Sequence, residues 1–142
     1  MVEALYTAEA IAAGDGRNGD VHSSDGVIDE RLAVPEGMGG PGGSFTNPEQ
    51  LFAAGYAACF HGALRLVSSQ AGVDLGGDST VTAQVDIGKK SGGGFELGVR
   101  ISASMPGLEQ AKADELVAQA HQVCPYSNAT RGNIEIEVSA TT

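Results

Sequence analysis

An α+β fold is predicted by three features of the 142-residue chain. Strand pairs with hairpin signals lie on both sides of one long alanine-rich segment. A second helical pattern sits near the C-terminus, and single strands do not alternate with single helices as they would in a doubly wound sheet. The expected order is βββ-α-ββ-α-β in one domain spanning residues 1–142. At 42% hydrophobic residues, a chain of this length can bury a sizeable core.

Residues 5–13 alternate well enough for a first strand, and Gly14-Asp15-Gly16-Arg17-Asn18-Gly19-Asp20 is a turn cluster. Residues 21–24 and 27–34 read as two further strands joined at Asp25-Gly26, a strong hairpin signal. Arg17 is the only lysine or arginine in the first 30 residues, and the plain reading makes it a solvated loop residue. Gly37-Met38-Gly39-Gly40-Pro41-Gly42 is a literal G-x-G-x-x-G. It does not read as a dinucleotide site, because the next helix starts several residues later behind a proline and no βαβ unit follows. No GK[ST] follows it either, so a folded crossing over the sheet edge is expected.

Asn47 is a good N-cap, Pro48 suits the first helical position, and Glu49 places an acid in the first turn. The helix they open should run to about residue 69. It holds almost nothing ionisable between Gln50 and His61, so it should be a long central helix buried on most sides. Residues 79–87 and 95–104 then read as strands around a glycine-rich tip, and Met105-Pro106-Gly107 breaks the pattern. A second helix is expected over residues 108–123, stopped by Cys124-Pro125. Residues 134–138 alternate cleanly as a last, half-exposed strand.

Composition narrows the function. A net charge of −10 with no basic cluster argues against a nucleic-acid partner. No signal-peptide pattern and no unbroken apolar run of bilayer length is visible, so a cytoplasmic protein without a membrane partner is expected. Asn128-Ala129-Thr130 matches a glycosylation acceptor, which carries no weight without secretion.

The two cysteines admit three readings. Cys59 and Cys124 suit small core residues, though a helix end before proline is usually near the surface. Cys59-x-His61 and His121-x-x-Cys124 suggest metal ligands, but residues i and i+2 face opposite sides of a helix and three ligands are too few for a closed zinc site. The third reading is a dithiol redox centre, which needs a cation or base near the attacking thiol. Arg17, Glu49, His61 and Arg65 are the nearby candidates.

Three stretches are familiar: Pro41-Gly42-Gly43; Asn47-Pro48-Glu49-Gln50-Leu51-Phe52-Ala53-Ala54-Gly55-Tyr56-Ala57-Ala58-Cys59-Phe60; and Val123-Cys124-Pro125-Tyr126-Ser127-Asn128-Ala129-Thr130-Arg131-Gly132-Asn133. Together they closely resemble the organic hydroperoxide resistance (Ohr) branch of the Ohr/OsmC family of thiol peroxidases. The likeness covers almost the whole chain, including Gly16-Arg17-Asn18-Gly19, and is least characteristic over residues 86–100. It implies an OsmC-like fold, an intertwined homodimer, and reduction of organic or lipid hydroperoxides to alcohols. Cys59 would be the peroxidatic cysteine and Cys124 the resolving one, with Arg17 and Glu49 completing the site. No bound cofactor is implied. The co-substrate would be a dithiol, dihydrolipoamide or a lipoylated protein.

The chemistry refines those roles. A cysteine of pKa near 8.5 is about 3% thiolate at pH 7. Lowering the pKa to about 6 gains roughly 30-fold in thiolate but costs roughly 13-fold in nucleophilicity, a net gain of two- to three-fold only. An arginine is therefore expected to act mainly on the transition state, stabilising charge on the departing alkoxide. Glu49 would hold the guanidinium in a bidentate pair, as a positioner and not a base. Glu49 and Cys59 lie ten residues apart on one helix, about 15 Å along its axis. If both serve one site, Glu49 is expected from the partner subunit.

Phe45, Phe52, Tyr56, Phe60 and Tyr126 are candidates for an apolar substrate entrance, and core roles are open to each. His61 is read as a packing residue, while His22 and His121 carry no clear role. Two other classes stay open: a noncatalytic hotdog-like dimer binding acyl-type small molecules, and a redox sensor that signals through its disulfide.

Overall fold

The computed structural model describes residues 1–142. The elements are β1 (Ala10–Ala13), β2 (Asp20–Ser23), β3 (Asp29–Arg31), α1 (Pro48–Gln70), β4 (Thr80–Lys89), β5 (Phe95–Ser104), α2 (Gln110–Val123), α3 (Pro125–Thr130) and β6 (Glu135–Thr141). This is the predicted α+β order with one short helix added. The chain divides into two compact units, Met1–Leu51 and Phe52–Thr142.

In the first unit, β1, β2 and β3 form an antiparallel sheet in that order. β1 is shorter than the predicted 5–13, because its pairing with β2 runs only from Ala10↔Ser23 to Ala13↔Asp20. The connecting turn contains a single 3-10 turn, Gly16–Asn18. Gly19 closes it for a steric reason: a Cβ there would lie 2.2 Å from the Ala13 carbonyl oxygen. Asn18 Oδ1 accepts the Val34 N–H at 2.9 Å and ties the turn to the chain beyond β3. In the β2–β3 hairpin, Asp25 Oδ1 accepts from Ser23 Oγ and the Val27 N–H. β3 stops at Arg31, and Leu32 forms an isolated parallel bridge with Thr46.

The glycine-rich stretch folds back on itself. A 3-10 turn at Glu36–Met38 is followed by bonds from the Gly40 N–H to Pro35 O and from the Gly42 N–H to Val34 O. It closes a loop and opens onto no helix. α1 begins at Pro48 as predicted, where Asn47 Oδ1 accepts the Gln50 N–H at 2.8 Å and satisfies a donor the first turn would leave orphaned.

The second unit is built around the inner face of α1. Tyr56, Phe60, Ala63, Leu64, Val67 and Ser68 recur at three- and four-residue spacing and are buried. They meet β5, whose Val99, Ile101 and Ala103 are buried on the same side, and Leu116, Val117 and Ala120 of α2. Each of the buried leucine, isoleucine, valine and phenylalanine side chains contributes about 1.5–3 kcal/mol, and the alanines less. Burial of α1 is one-sided, against the expectation. Ala54, Ala58, Gly62 and Leu66 line its opposite face and are exposed, because no element of the second unit covers that alanine-rich stripe.

The sheet of this unit runs β4-β5-β6. β4 and β5 are antiparallel from Thr80↔Ser104 to Lys89↔Phe95, a longer hairpin than the 79–87 pattern indicates. β6 lies parallel to β5, from Gly98↔Glu135 to Ser104↔Thr141, after the α2–α3 crossover. α2 ends at Val123 because Cys124 is extended, at φ −62° and ψ 122°, as a residue before proline prefers. Pro125 then sits at the first turn of α3, which the sequence pattern does not reveal.

Candidate active site

The break between α2 and α3 places the second thiol. Cys124 is fully buried at the joint, and its Sγ–H donates to Sγ of Cys59, 3.6 Å away on α1. Both thiols are free, and Cys59 is half-buried. A disulfide bond is about 2.05 Å long, so closure requires an approach of about 1.5 Å. Burial pushes the Cys59 thiol above its ordinary value; a backbone hydrogen bond from Tyr126 opposes this, and Cys124 pushes it further up.

Around the sulfurs lies a polar and aromatic frame. Tyr56 Oη is 2.9 Å from Ser127 Oγ and 3.1 Å from Thr130 Oγ1, both on α3. His121 Nδ1 lies 2.9 Å from Ser127 Oγ, so α2, α3 and α1 are bonded through one hydroxyl. The Tyr126 ring packs at 6.0 Å from Phe52 and 5.6 Å from Tyr56. Gly55 makes room for it, since a Cβ there would stand 3.0 Å from Tyr126 Oη.

In the first unit, the 3-10 turn presents Arg17 to Glu49. Arg17 Nη1 donates to Glu49 Oε2 at 2.9 Å and Nη2 to Oε1 at 2.8 Å, a bidentate pair. The guanidinium hydrogen bond holds the Glu49 carboxyl below the usual carboxylate range, with burial opposing, and Glu49 in turn raises Arg17.

The structure thus pairs Cys59 with Cys124 and Arg17 with Glu49. The entrance candidates scatter. Tyr126 and Phe52 are accessible or half-buried beside the thiols, whereas Tyr56 and Phe60 are fully enclosed. That corrects the entrance reading for those two: positions 56, 60 and 64 form the inner stripe of α1, so their rings pack the core. Phe45 is exposed in the first unit, 5.1 Å beneath the Arg31 guanidinium. It lines a recess of about 230 Å³ with Pro35 and Glu36. His61 bonds Ser79 Oγ at 3.0 Å, as a packing residue would. No three of the His, Cys, Asp and Glu side chains form a metal-holding group.

Ser127 and Thr130 escaped the sequence reading, which weighed His121 only as a metal ligand beside Cys124 and left it without a clear role. The available signal was the hydroxyl-rich run Tyr126-Ser127-Asn128-Ala129-Thr130 directly after the Cys124-Pro125 break, where such groups are positioned to bond back across the joint.

The α+β chain thus brings two free thiols into contact, one buried and one half-buried. The family model for OsmC-like proteins matches residues 40–139, and the chain belongs to that family. Within it the chain is similar to the organic hydroperoxide resistance protein of Xanthomonas axonopodis pv. citri (strain 306), at 50% identity over 135 residues, 95% of this chain and 94% of that one. Among crystal structures, an organic hydroperoxide resistance protein from Elizabethkingia anophelis matches with a TM-score of 0.92 at 48% identity, covering 99% of each chain. OhrB of Bacillus subtilis matches at 0.87 and 45% identity, over 97% of this chain and 100% of that one.

Proposed function

We propose that this chain is a thiol-dependent peroxidase that reduces organic or lipid hydroperoxides to alcohols. The observation that carries the reading is the 3.6 Å contact between the half-buried Cys59 sulfur and the buried Cys124 sulfur. The name shared by its relatives, organic hydroperoxide resistance protein, supports the substrate class.

The Cys59 thiolate attacks the terminal peroxide oxygen and the O–O bond breaks. The alkoxide takes up a proton and leaves as an alcohol, and Cys59 becomes a sulfenic acid. The Cys124 thiol then attacks that sulfur; the S–O bond breaks, water departs and the disulfide forms. A dithiol, dihydrolipoamide or a lipoylated protein, returns both cysteines to thiols and requires no bound cofactor.

Because burial raises the Cys59 thiol, a cation is needed at the reacting sulfur. Arg17 suits that need, with Glu49 holding its fork. Ten residues of α1 separate Glu49 from Cys59, about 15 Å of helical rise, so we assign the cation to the Arg17–Glu49 pair of a second subunit. The exposed Ala54, Ala58, Gly62 and Leu66 stripe on α1 supports a homodimer. We take the whole chain to act as one functional domain, in the cytoplasm.

The test is peroxide consumption with dihydrolipoamide, comparing cumene hydroperoxide with hydrogen peroxide on wild type and Cys59→Ser. Fast Cys59-dependent turnover that favours the organic peroxide is expected. Equal inertness of the two proteins would overturn the reading and leave a ligand-binding module in its place. Substoichiometric consumption would mark a redox sensor.

A further inference from the structure

We propose that His121 is a positioning residue for disulfide closure, holding the Cys124 segment against the helix that carries Cys59 through a chain of hydrogen bonds running in one direction. The inference rests on the peroxidase reading and assigns a role within its second step.

The direction follows from counting protons. Thr130 Oγ1 has one, and its partners Tyr126 O, at 2.8 Å, and Ser127 O, at 3.4 Å, are carbonyls that only accept. Thr130 therefore donates there, and its contact with Tyr56 Oη at 3.1 Å must be donated by the tyrosine. The single Tyr56 proton is then spent, so Ser127 Oγ donates to Tyr56 across 2.9 Å. The Ser127 proton is spent in turn, so its bond with His121 at 2.9 Å is donated by the Nδ1–H of the imidazole. The chain reads His121 to Ser127 to Tyr56 to Thr130 to a backbone carbonyl. Every hydroxyl is both donor and acceptor, and the tautomer of His121 is set.

Its placement gives the chain its function. Ser127 follows Cys124 by three residues, and Tyr56 precedes Cys59 by three, one turn of α1. His121 also precedes Cys124 by three, so its bond to Ser127 spans the extended joint from α2 to α3. Arg131 braces the same joint, donating to the His121 carbonyl and to Asn128 Oδ1. Without the imidazole donor, Ser127 Oγ still donates to Tyr56 but no longer receives a bond from α2, so the tie across the α2–α3 joint is lost and the Cys124 segment is held less firmly. The sulfurs must still close from 3.6 Å to about 2.05 Å. A slower closure leaves the Cys59 sulfenic acid exposed to a second hydroperoxide, which transfers one oxygen to it, giving a sulfinic acid and an alcohol.

The experiment follows the two steps separately on the reduced full-length protein with cumene hydroperoxide. Peroxide loss reports the first step, thiol loss reports closure, and mass spectrometry reports two added oxygens on Cys59. The proteins are wild type, His121→Leu, His121→Asn, whose amide N–H stands where Nδ1–H stood, and Ser127→Ala. His121→Leu and Ser127→Ala are expected to keep the first step, slow closure about tenfold or more, and accumulate sulfinic acid. His121→Asn is expected to restore closure. Equal closure in wild type and His121→Leu overturns the proposal. So does equal slowing of both steps without rescue by asparagine, which marks a merely structural histidine. If wild-type Cys59 itself gives neither sulfenic acid nor disulfide, the peroxidase reading falls first and takes this role with it.

Discussion

Arg17 and Glu49 meet as a fork on a fork, each guanidinium amino group donating to a different carboxylate oxygen at 2.9 and 2.8 Å. The acid is the more enclosed partner: its side chain is 11% exposed, against 42% for the arginine. Such a geometry fixes the plane of the guanidinium more than it stabilises the fold, since pairs open to solvent on one side contribute about 0–1 kcal/mol.

Replacing Glu49 by glutamine keeps the shape and removes the charge. The variant is expected to lose about 100-fold in kcat/KM towards cumene hydroperoxide, because a misplaced electrophile costs rate steeply. Its stability should respond to pH in a defined sense. Pairing depresses the Glu49 carboxyl, so the stabilisation is present above the unfolded carboxylate pKa and is lost as pH falls through the lower folded value. The stability difference between wild type and Glu49→Gln, measured by denaturant unfolding, should therefore shrink towards zero in acid. A difference that persists at low pH would show that the charge pair is not its source.

Arg17→Lys should retain the charge and lose the fork. A loss of about 10²-fold in kcat/KM is expected, with a larger one for Arg17→Ala. Burial raises the Cys59 thiol, and a raised thiol is less ionised at every pH below its pKa. Without the guanidinium, the rising limb of the kcat/KM profile should move to higher pH in Arg17→Ala. Superimposable profiles at equal rates would remove Arg17 from the site.

Gly19→Ala tests the turn without touching a charged group. Its Cβ would stand 2.2 Å from Ala13 O and 2.9 Å from the Asp15 nitrogen, both backbone atoms, so the Arg17 turn must shift. Activity is expected to fall while near-ultraviolet dichroism of the core aromatics and the count of two titratable thiols stay unchanged. An unimpaired rate would show that the position of Arg17 is not set by this turn.

Mixed dimers address the separation along α1. A Cys59→Ser chain combined with a Glu49→Ala chain should recover substantial activity if each site takes its thiol from one subunit and its acid from the other. Recovery no greater than in the two parent homodimers would place both groups on one chain.

Much of this was legible because the signals are local. Asn47-Pro48-Glu49 marked the start of α1, Asp25-Gly26 the β2–β3 hairpin, and Cys124-Pro125 the end of α2, each by a backbone rule acting within a few residues. The glycine cluster made the turn around Arg17 legible, but the roles of Arg17 and the cysteines came through family likeness. Three things were hidden. α3 has six residues, too few to repeat a pattern. The parallel pairing of β6 with β5 is decided by packing over the crossover and not by the alternation Ile134-Glu135-Ile136-Glu137-Val138, which suits either direction. The bond from Ser127 to Tyr56 joins residues 71 positions apart in the chain, and hydroxyls at that range announce nothing.

The first unit buries few apolar side chains, Leu32 and Ala33 among its fifty-odd residues, while the second holds the packed cluster from Tyr56 to Cys124. On burial alone, local opening is expected to start in the segment that carries the guanidinium. Ageing or mild warming would then disarm the protein before it melts. On the proposed function, a worn molecule would still give two thiols to a titrant and a full spectrum from its core, yet lose its turnover of hydroperoxide. A stock assayed by thiol content alone would be overvalued.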